Sequence, residues 1–242
     1  MKRLVDVTLS GFGLAAASPV LLPVIALIYA QDRHSPFYVA PRVGKGEKIF
    51  KMIKLRSMVV NADKTGVDST SSRDPRITAV GRFVRRYKLD ELPQLLNVLK
   101  GDMSLVGPRP NVKRETDLYT KEEKELLSVR PGITDIASIV FADENEILKD
   151  SPDPDIDYNQ LIRPWKSRLG ILYVRHASVG LDLKLIWLTA MAVANRSAAL
   201  ERVGELLHEL HADAYVARVA RRTEPLRAHP PPGAVKVVTS RE

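Results

Sequence analysis

Two adjacent carboxylates, Asp90 and Glu91, stand between the basic run from Arg82 to Lys88 and a Gly/Pro-containing stretch, Gly101 to Pro110, that carries Arg109. Acids held among fixed cations point to an anionic, phosphate-bearing substrate and to a carboxylate that must stay ionised. Neighbouring residues on a helix point about 100° apart, so the two acids do not form a matched facing pair and suit different tasks. Leu92, Leu95, Leu96 and Leu99 recur at helical spacing, with Pro93 tolerated in a first turn. That pattern places Asp90 at a helix start, beside free N–H groups and the positive end of the dipole, where a phosphate also binds. In isolation, Asp-Glu-x-Pro reads more simply as an N-cap and a first-turn acid. Its surroundings change that reading: Arg85 lies upstream, Asp102 downstream, and the rigid loop Gly107-Pro108-Arg109-Pro110 can present Arg109 to a phosphate.

The elements that must position these groups begin with an apolar N-terminus. Val7 to Gln31 contains no charged side chain; as a helix it would be about 37 Å long, enough to cross a hydrocarbon core of about 30 Å. Ser18-Pro19 interrupts it near the middle, with Pro23 one turn later, and each proline removes a backbone donor. Lys2 and Arg3 precede the segment, and Arg33, Arg42, Lys45 and Lys48 follow it, which draws both ends to the same side of a membrane. A re-entrant helix broken at Ser18-Pro19, with each arm about 18 Å long, accommodates both features. The Ser18 hydroxyl would bond a carbonyl freed by the break. The competing readings are a kinked spanning helix and a cleaved signal peptide.

Beyond the anchor, Phe37-Tyr38-Val39 and Lys48 to Ile53 read as strands about the turn Gly44-Lys45-Gly46, closed by Lys54 and Arg56. Asn61 to Asp74 reads as a polar loop, Thr78 to Tyr87 as a helix with a basic face, Thr120 to Leu127 as a short charged helix and Ser151 to Tyr158 as a loop. Leu181 to Ala194 is apolar but too short to span, and so is either buried or interfacial. Leu200, Val203, Leu206, Leu207 and Leu210 form one stripe, a packing or self-association face, and the chain from Thr223 reads as disordered. The expected architecture is α+β: a re-entrant anchor over residues 1–34, a mostly helical main domain with a small β-hairpin over 35–195, an amphipathic extension over 196–222 and a tail over 223–242.

Composition narrows the function classes. A net charge of +8 over 242 residues favours nucleic acid, an anionic membrane face or a phosphorylated substrate. Aromatics are only 6% and do not interleave with the basic residues, which argues against nucleic acid. The absence of cysteine excludes disulfides and thiolate metal sites and fits a protein whose bulk stays in the cytoplasm.

Ordered motifs over about residues 1–195 resemble the bacterial sugar transferase family, the monotopic phosphoglycosyl transferases. They include Lys2-Arg3-Leu4-Val5-Asp6, Ser18-Pro19, Phe50 to Met58, Asp74-Pro75-Arg76-Ile77-Thr78 and Gly81-Arg82. Leu89 to Leu95, Asn97 to Pro110, Arg130-Pro131-Gly132-Ile133-Thr134 and Leu181-Asp182-Leu183-Lys184 continue the match. The resemblance implies transfer of a sugar phosphate from a UDP-sugar to polyprenyl phosphate at a bacterial inner membrane, with the catalytic domain facing the cytoplasm and UMP released. It implies Asp90 as the nucleophile and as a ligand of Mg2+, with Glu91 assisting proton removal or supporting the metal. Lys54, Arg56, Arg85, Arg109 and Arg130 would hold the diphosphate. Asp135-Ile136-Ala137-Ser138 departs from the Gly-Leu-Ala-Gln of many members, in a region expected to face the sugar. The competing class is a catalytically idle membrane scaffold, against which the intact dyad argues; self-association is left open.

Overall fold

The computed structural model describes residues 1–62 and 74–240; most of the polar loop expected from Asn61 to Asp74 lies outside them. The elements run α1 (Lys2–Asp32), β1 (Phe37–Val43), β2 (Ile49–Leu55), α2 (Ala79–Arg86), a 3-10 turn (Leu89–Glu91), α3 (Gln94–Lys100) and β3 (Ser104–Val106). They continue with α4 (Lys113–Asp117), a 3-10 segment (Glu123–Ser128), β4 (Gly132–Thr134), α5 (Ile136–Val140), α6 (Glu144–Ile147) and α7 (Pro154–Asp157). A π-helical turn (Tyr158–Ile162) leads to α8 (Arg163–His176), α9 (Val179–Ala194), α10 (Arg196–Glu209) and α11 (Ala214–Ala220). The protein is mostly helical, with an antiparallel hairpin of β1 and β2 and a short parallel pair of β3 and β4.

α1 is a single helix with Pro19 and Pro23 inside it, and the only helix among the described residues long and apolar enough to cross a membrane. Pro19 cannot donate to the Ala15 carbonyl four residues back. Ser18 Oγ donates to that oxygen instead, at 2.8 Å. Two separate arms are not resolved. Both ends of α1 grip the same globular unit. Lys2 Nζ donates to Asp182 Oδ2 at 2.6 Å, to the Val106 carbonyl at 3.0 Å and to the Tyr173 hydroxyl at 3.2 Å. Arg3 caps the C-terminal carbonyls of α3, reaching Leu99 O at 2.8 Å, where a cation also complements the dipole. The buried carboxylate of Asp6 accepts from Ser104 Oγ and the Leu105 amide, each at 3.0 Å. At the far end, Val24 and Ile28 pack with Leu55 and Val84, and Asp32 pairs with Arg56. Lys2 and Arg3, expected as cations flanking a membrane segment, are thus bonded within the fold.

The hairpin forms as expected, in the register Phe37↔Leu55 to Val43↔Ile49. α3 is stapled to it by a fully buried side chain: Asn97 Oδ1 accepts from the Ile53 amide at 2.9 Å, and its Nδ2 donates to Lys51 O at 2.8 Å. β3 and β4 pair through Ser104↔Gly132 and Val106↔Thr134. Their backbones come so close that a Cβ on Gly132 would lie 2.1 Å from the Gly107 nitrogen. This contact sets the start of the loop that carries Arg109.

Two expectations are corrected, the loop over Ser151 to Tyr158 and the tail from Thr223, while the stripe of α10 is found as a packing face. The segment expected as a loop from Ser151 to Tyr158 contains α7, begun by Asp153, whose side chain accepts from the Ile156 amide, with Pro154 in the first turn. The 196–222 extension is continuous with the main core: Leu200, Val203, Leu206 and Leu207 of α10 and Val216 of α11 join Ile136, Trp165, Leu169, Leu185 and Leu188. The apolar α9 is half-buried, with Leu185 and Leu188 inside and Leu183 and Trp187 exposed. The tail expected to be disordered is, over 223–240, an irregular strap seated on α8 and its neighbours. Its His229 ring stacks on Trp165 with centroids 4.6 Å apart, and the Pro230 carbonyl accepts from Arg168 at 3.0 Å.

Candidate active site

The hairpin, the turn after α2 and the loop after β3 converge on a cavity of about 350 Å³, whose walls include Lys54, Arg85, Asp90, Glu91 and Arg109. Each comes from a different local device. Lys54 is the penultimate residue of β2. Arg85 lies in the last turn of α2, whose start is capped by Thr78, and donates to Ser57 Oγ at 2.9 Å. Asp90 and Glu91 sit in a 3-10 turn entered through Lys88 at φ 55°, rather than at the N-terminus of an α-helix. α3 starts only at Gln94, with Pro93 as its cap residue. The tighter turn brings both acids to one cavity.

Their surroundings differ. Glu91 is clamped by the Arg109 guanidinium, with Arg109 Nη1 at 3.2 Å from Oε2 and a second bond from Nη2 to Oε1; Lys54 Nζ is 3.9 Å from Oε1. Burial acts to push Glu91 up, but Arg109 and Lys54 outweigh it and hold the carboxyl at about 2. Asp90 makes no hydrogen bond or ion pair with another described residue. Burial raises it above the ordinary aspartate value and the neighbouring Glu91 charge adds to that, opposed by Lys54, Arg85 and Arg109. Burial, then the nearby Arg109, lower Lys54 to about 8. The dyad therefore consists of one committed carboxylate and one available carboxylate.

Two expected substrate ligands are used elsewhere. Arg56 does not line the cavity; it forms two bonds to Asp32 and donates to the Ser35 carbonyl at 2.8 Å, fixing the chain as it leaves α1. Arg130 also lies outside it, donating to the Gly101 carbonyl at 2.8 Å. Ser18 and Pro19 are far along α1 and take no part in the walls.

The opposite wall comes from distant sequence. Arg163, Lys166 and Ser167 of α8 line it, and their i, i+3, i+4 spacing was a readable sign of one polar helix face. Arg163 is buried in an ion-paired network, with Nη2 at 2.7 Å from Glu123 Oε2 and Nε at 3.0 Å from Oε1. Lys166 pairs with Glu144 and lies over the Tyr158 ring. The Asp135–Ser138 departure does reach the cavity. Asp135 caps α5 by accepting from the Ser138 amide at 2.7 Å, and burial pushes its carboxyl up against the pull of that bond. Arg42, Lys88 and Gln94 also line the cavity and were not among the site residues expected from sequence.

Among the described residues, no group of three or more His, Asp or Glu side chains is gathered about a possible metal position. Mg2+ is commonly held by one or two carboxylates together with substrate phosphates. The available carboxylate of Asp90 at a cation-lined cavity fits that pattern.

The model of the bacterial sugar transferase family matches residues 1–196. A Bacillus subtilis protein, provisionally named an undecaprenyl-phosphate N-acetylgalactosaminyl 1-phosphate transferase, is 45% identical over 122 residues, 50% of this chain and 68% of that protein. The exopolysaccharide production protein ExoY of Sinorhizobium fredii is 39% identical over 153 residues, 57% of this chain and 68% of its own length. The undecaprenyl-phosphate galactose phosphotransferase of Salmonella typhimurium is 34% identical over 216 residues, 82% of this chain but only 41% of that longer protein. Several relatives are thus more than twice as long as the region they share with this chain. With the family model covering the dyad, the Arg109 loop and α1 alike, the chain belongs to the bacterial sugar transferase family.

Proposed function

We propose that the protein transfers a sugar 1-phosphate from a UDP-sugar to polyprenyl phosphate at the cytoplasmic face of a bacterial inner membrane, as an early membrane step of glycan assembly. The observation that carries this reading is the asymmetric dyad: an unbonded Asp90 carboxylate in a cavity lined by Lys54, Arg85 and Arg109.

In the first step an Asp90 oxygen attacks the β-phosphorus of the donor. The bond from phosphorus to the bridging oxygen breaks and its electron pair leaves with UMP. In the second, an oxygen of polyprenyl phosphate attacks the same phosphorus and Asp90 leaves as a carboxylate. Lys54, Arg85 and Arg109 offset the negative charge that spreads over the phosphoryl oxygens. Glu91, already ionised and gripped by Arg109, orients that arginine. A carboxylate held at about 2 is a poor proton acceptor near neutrality, so the general-base task is not assigned to it. Mg2+ would be held by Asp90 together with diphosphate oxygens, and when bound it would neutralise diphosphate charge.

The acceptor's long apolar chain stays in the bilayer, so the nucleophile must sit at headgroup depth. We read α1 as re-entrant, entering and leaving by one face. The support is the attachment of both Lys2 and Asp32 to the same domain, together with the outward apolar side chains Leu4, Phe12, Leu22 and Leu27. Exposed Leu183 and Trp187 of α9 fit an interfacial contact.

UMP release from UDP-glucose, UDP-galactose and their N-acetylated forms, with polyprenyl phosphate in detergent, tests the proposal. Asp90→Asn should abolish turnover in a folded protein; full activity in that variant would overturn the nucleophile assignment.

A further inference from the structure

Gln94 is the first residue of α3 and is 1% exposed. Its Nε2 is buried and makes no hydrogen bond with any described residue. Asn97, three residues on, shows what this fold does with a buried amide used for structure: both of its ends are bonded to β2. An amide donor buried without a partner opposes folding, so a chain that keeps one gains by it elsewhere. Gln94 lines the cavity together with Asp90, Glu91 and Arg109. It follows Asp90 by four residues through a continuous series of turns, in which the Leu92 amide bonds Leu89 O and the Leu95 amide bonds Leu92 O. What brings Gln94 to the nucleophile is the cavity wall that both residues line, not helical spacing.

We propose that Gln94 is a catalytic hydrogen-bond donor whose Nε2 binds a non-bridging oxygen of the phosphoryl group as it passes from UDP-sugar to Asp90 and on to the lipid phosphate. This rests on the transfer reaction proposed above and assigns a group to it. The surrounding charges select this partner. Every cation added beside Asp90 stabilises its carboxylate and blunts it as a nucleophile. A neutral amide holds an anionic phosphoryl oxygen without that penalty, and it is already dry and fixed before the charge develops. As the Asp90 oxygen–phosphorus bond forms and the bond to the UMP oxygen breaks, the non-bridging oxygens stay on phosphorus throughout. One donor therefore serves both half-reactions.

The test is Gln94→Met and Gln94→Glu in the full chain, in detergent with polyprenyl phosphate and the UDP-sugar best used by the unaltered protein. Gln94→Met should lower kcat by about a hundredfold, leave the donor KM within about twofold, and melt at or above the temperature of the unaltered protein, because an orphaned polar group has been removed. Gln94→Glu keeps the shape but sets a negative charge against the phosphoryl oxygens, and should lose more. A Met variant with full kcat and a lowered Tm, or one that does not fold, would show a packing residue and overturn the proposal. A loss carried wholly by KM would also overturn it, by placing the contact in the ground state. UMP release by the unaltered protein and its loss in Asp90→Asn report separately on the underlying reaction.

Discussion

Asp90 and Glu91 share a peptide bond and a cavity, yet the one is pushed up and the other held down. Burial acts on both in the same direction; the difference is the Arg109 guanidinium, which is bonded to Glu91 alone. Raising the pKa of a carboxylate makes its ionised form the stronger nucleophile. Lys54 gives a pH signature at the same scale. Its folded value of about 8 means that the free cavity loses a positive charge as pH rises through 8. The value of kcat/KM for donor should therefore fall above about pH 8, and this limb should be absent from the profile of Lys54→Gln. Persistence of the limb in that variant would assign it to another group. The stability term runs the other way. The unfolded chain keeps the lysine proton to about 10.5, so this group's contribution to stability rises between pH 8 and that value.

At the scale of elements, the site depends on how the hairpin, α3 and the β3–β4 pair are joined. Asn97 does for α3 what a neighbouring strand would do for β2, accepting from Ile53 and donating to Lys51. Asn97→Ala would leave two part-buried backbone groups, Ile53 N–H and Lys51 C=O, without this partner, at about 1–3 kcal/mol each. Thermal unfolding in detergent should show a loss of about 2–6 kcal/mol; a change below about 0.5 kcal/mol would mean that water replaces the amide. The hairpin and the helical spacing of α3 were legible from the strand alternation and the leucines. The dyad's 3-10 turn was not, because Pro93 is compatible with either turn type and the choice depends on Lys88 adopting φ 55°.

At the scale of the whole molecule, α1 is bolted to the catalytic unit at both ends, by Lys2 to Asp182 and by Asp32 to Arg56. The first of these junctions also bonds Val106 O, at the end of β3, just ahead of the loop that carries Arg109. The anchor is therefore part of the site's framework as well as a tether. The chain has no cysteine, so a cysteine appended ahead of Met1 and a His34→Cys substitution can be labelled cleanly in intact cells and in opened vesicles. Both should react only after opening, from the cytoplasmic side. Labelling of the two positions from opposite faces would replace the re-entrant reading with a spanning helix.

By itself, the sequence determined what local chemistry can determine: an apolar segment interrupted by proline, a β-hairpin, the acidic pair among cations, and motifs dense enough to place the family. Only the tertiary structure decided which cations face the acids. Arg56 and Arg130 have the same chemistry as Arg85 and Arg109, but Asp32 and the Gly101 carbonyl take them up, and no local pattern reports a partner many residues away. The same holds for the far wall of the cavity from α8 and for α10, whose apolar stripe closes the main core. Residue type sets what a side chain is able to do, whereas long-range packing sets which of those abilities is left unused by the fold and open to a substrate.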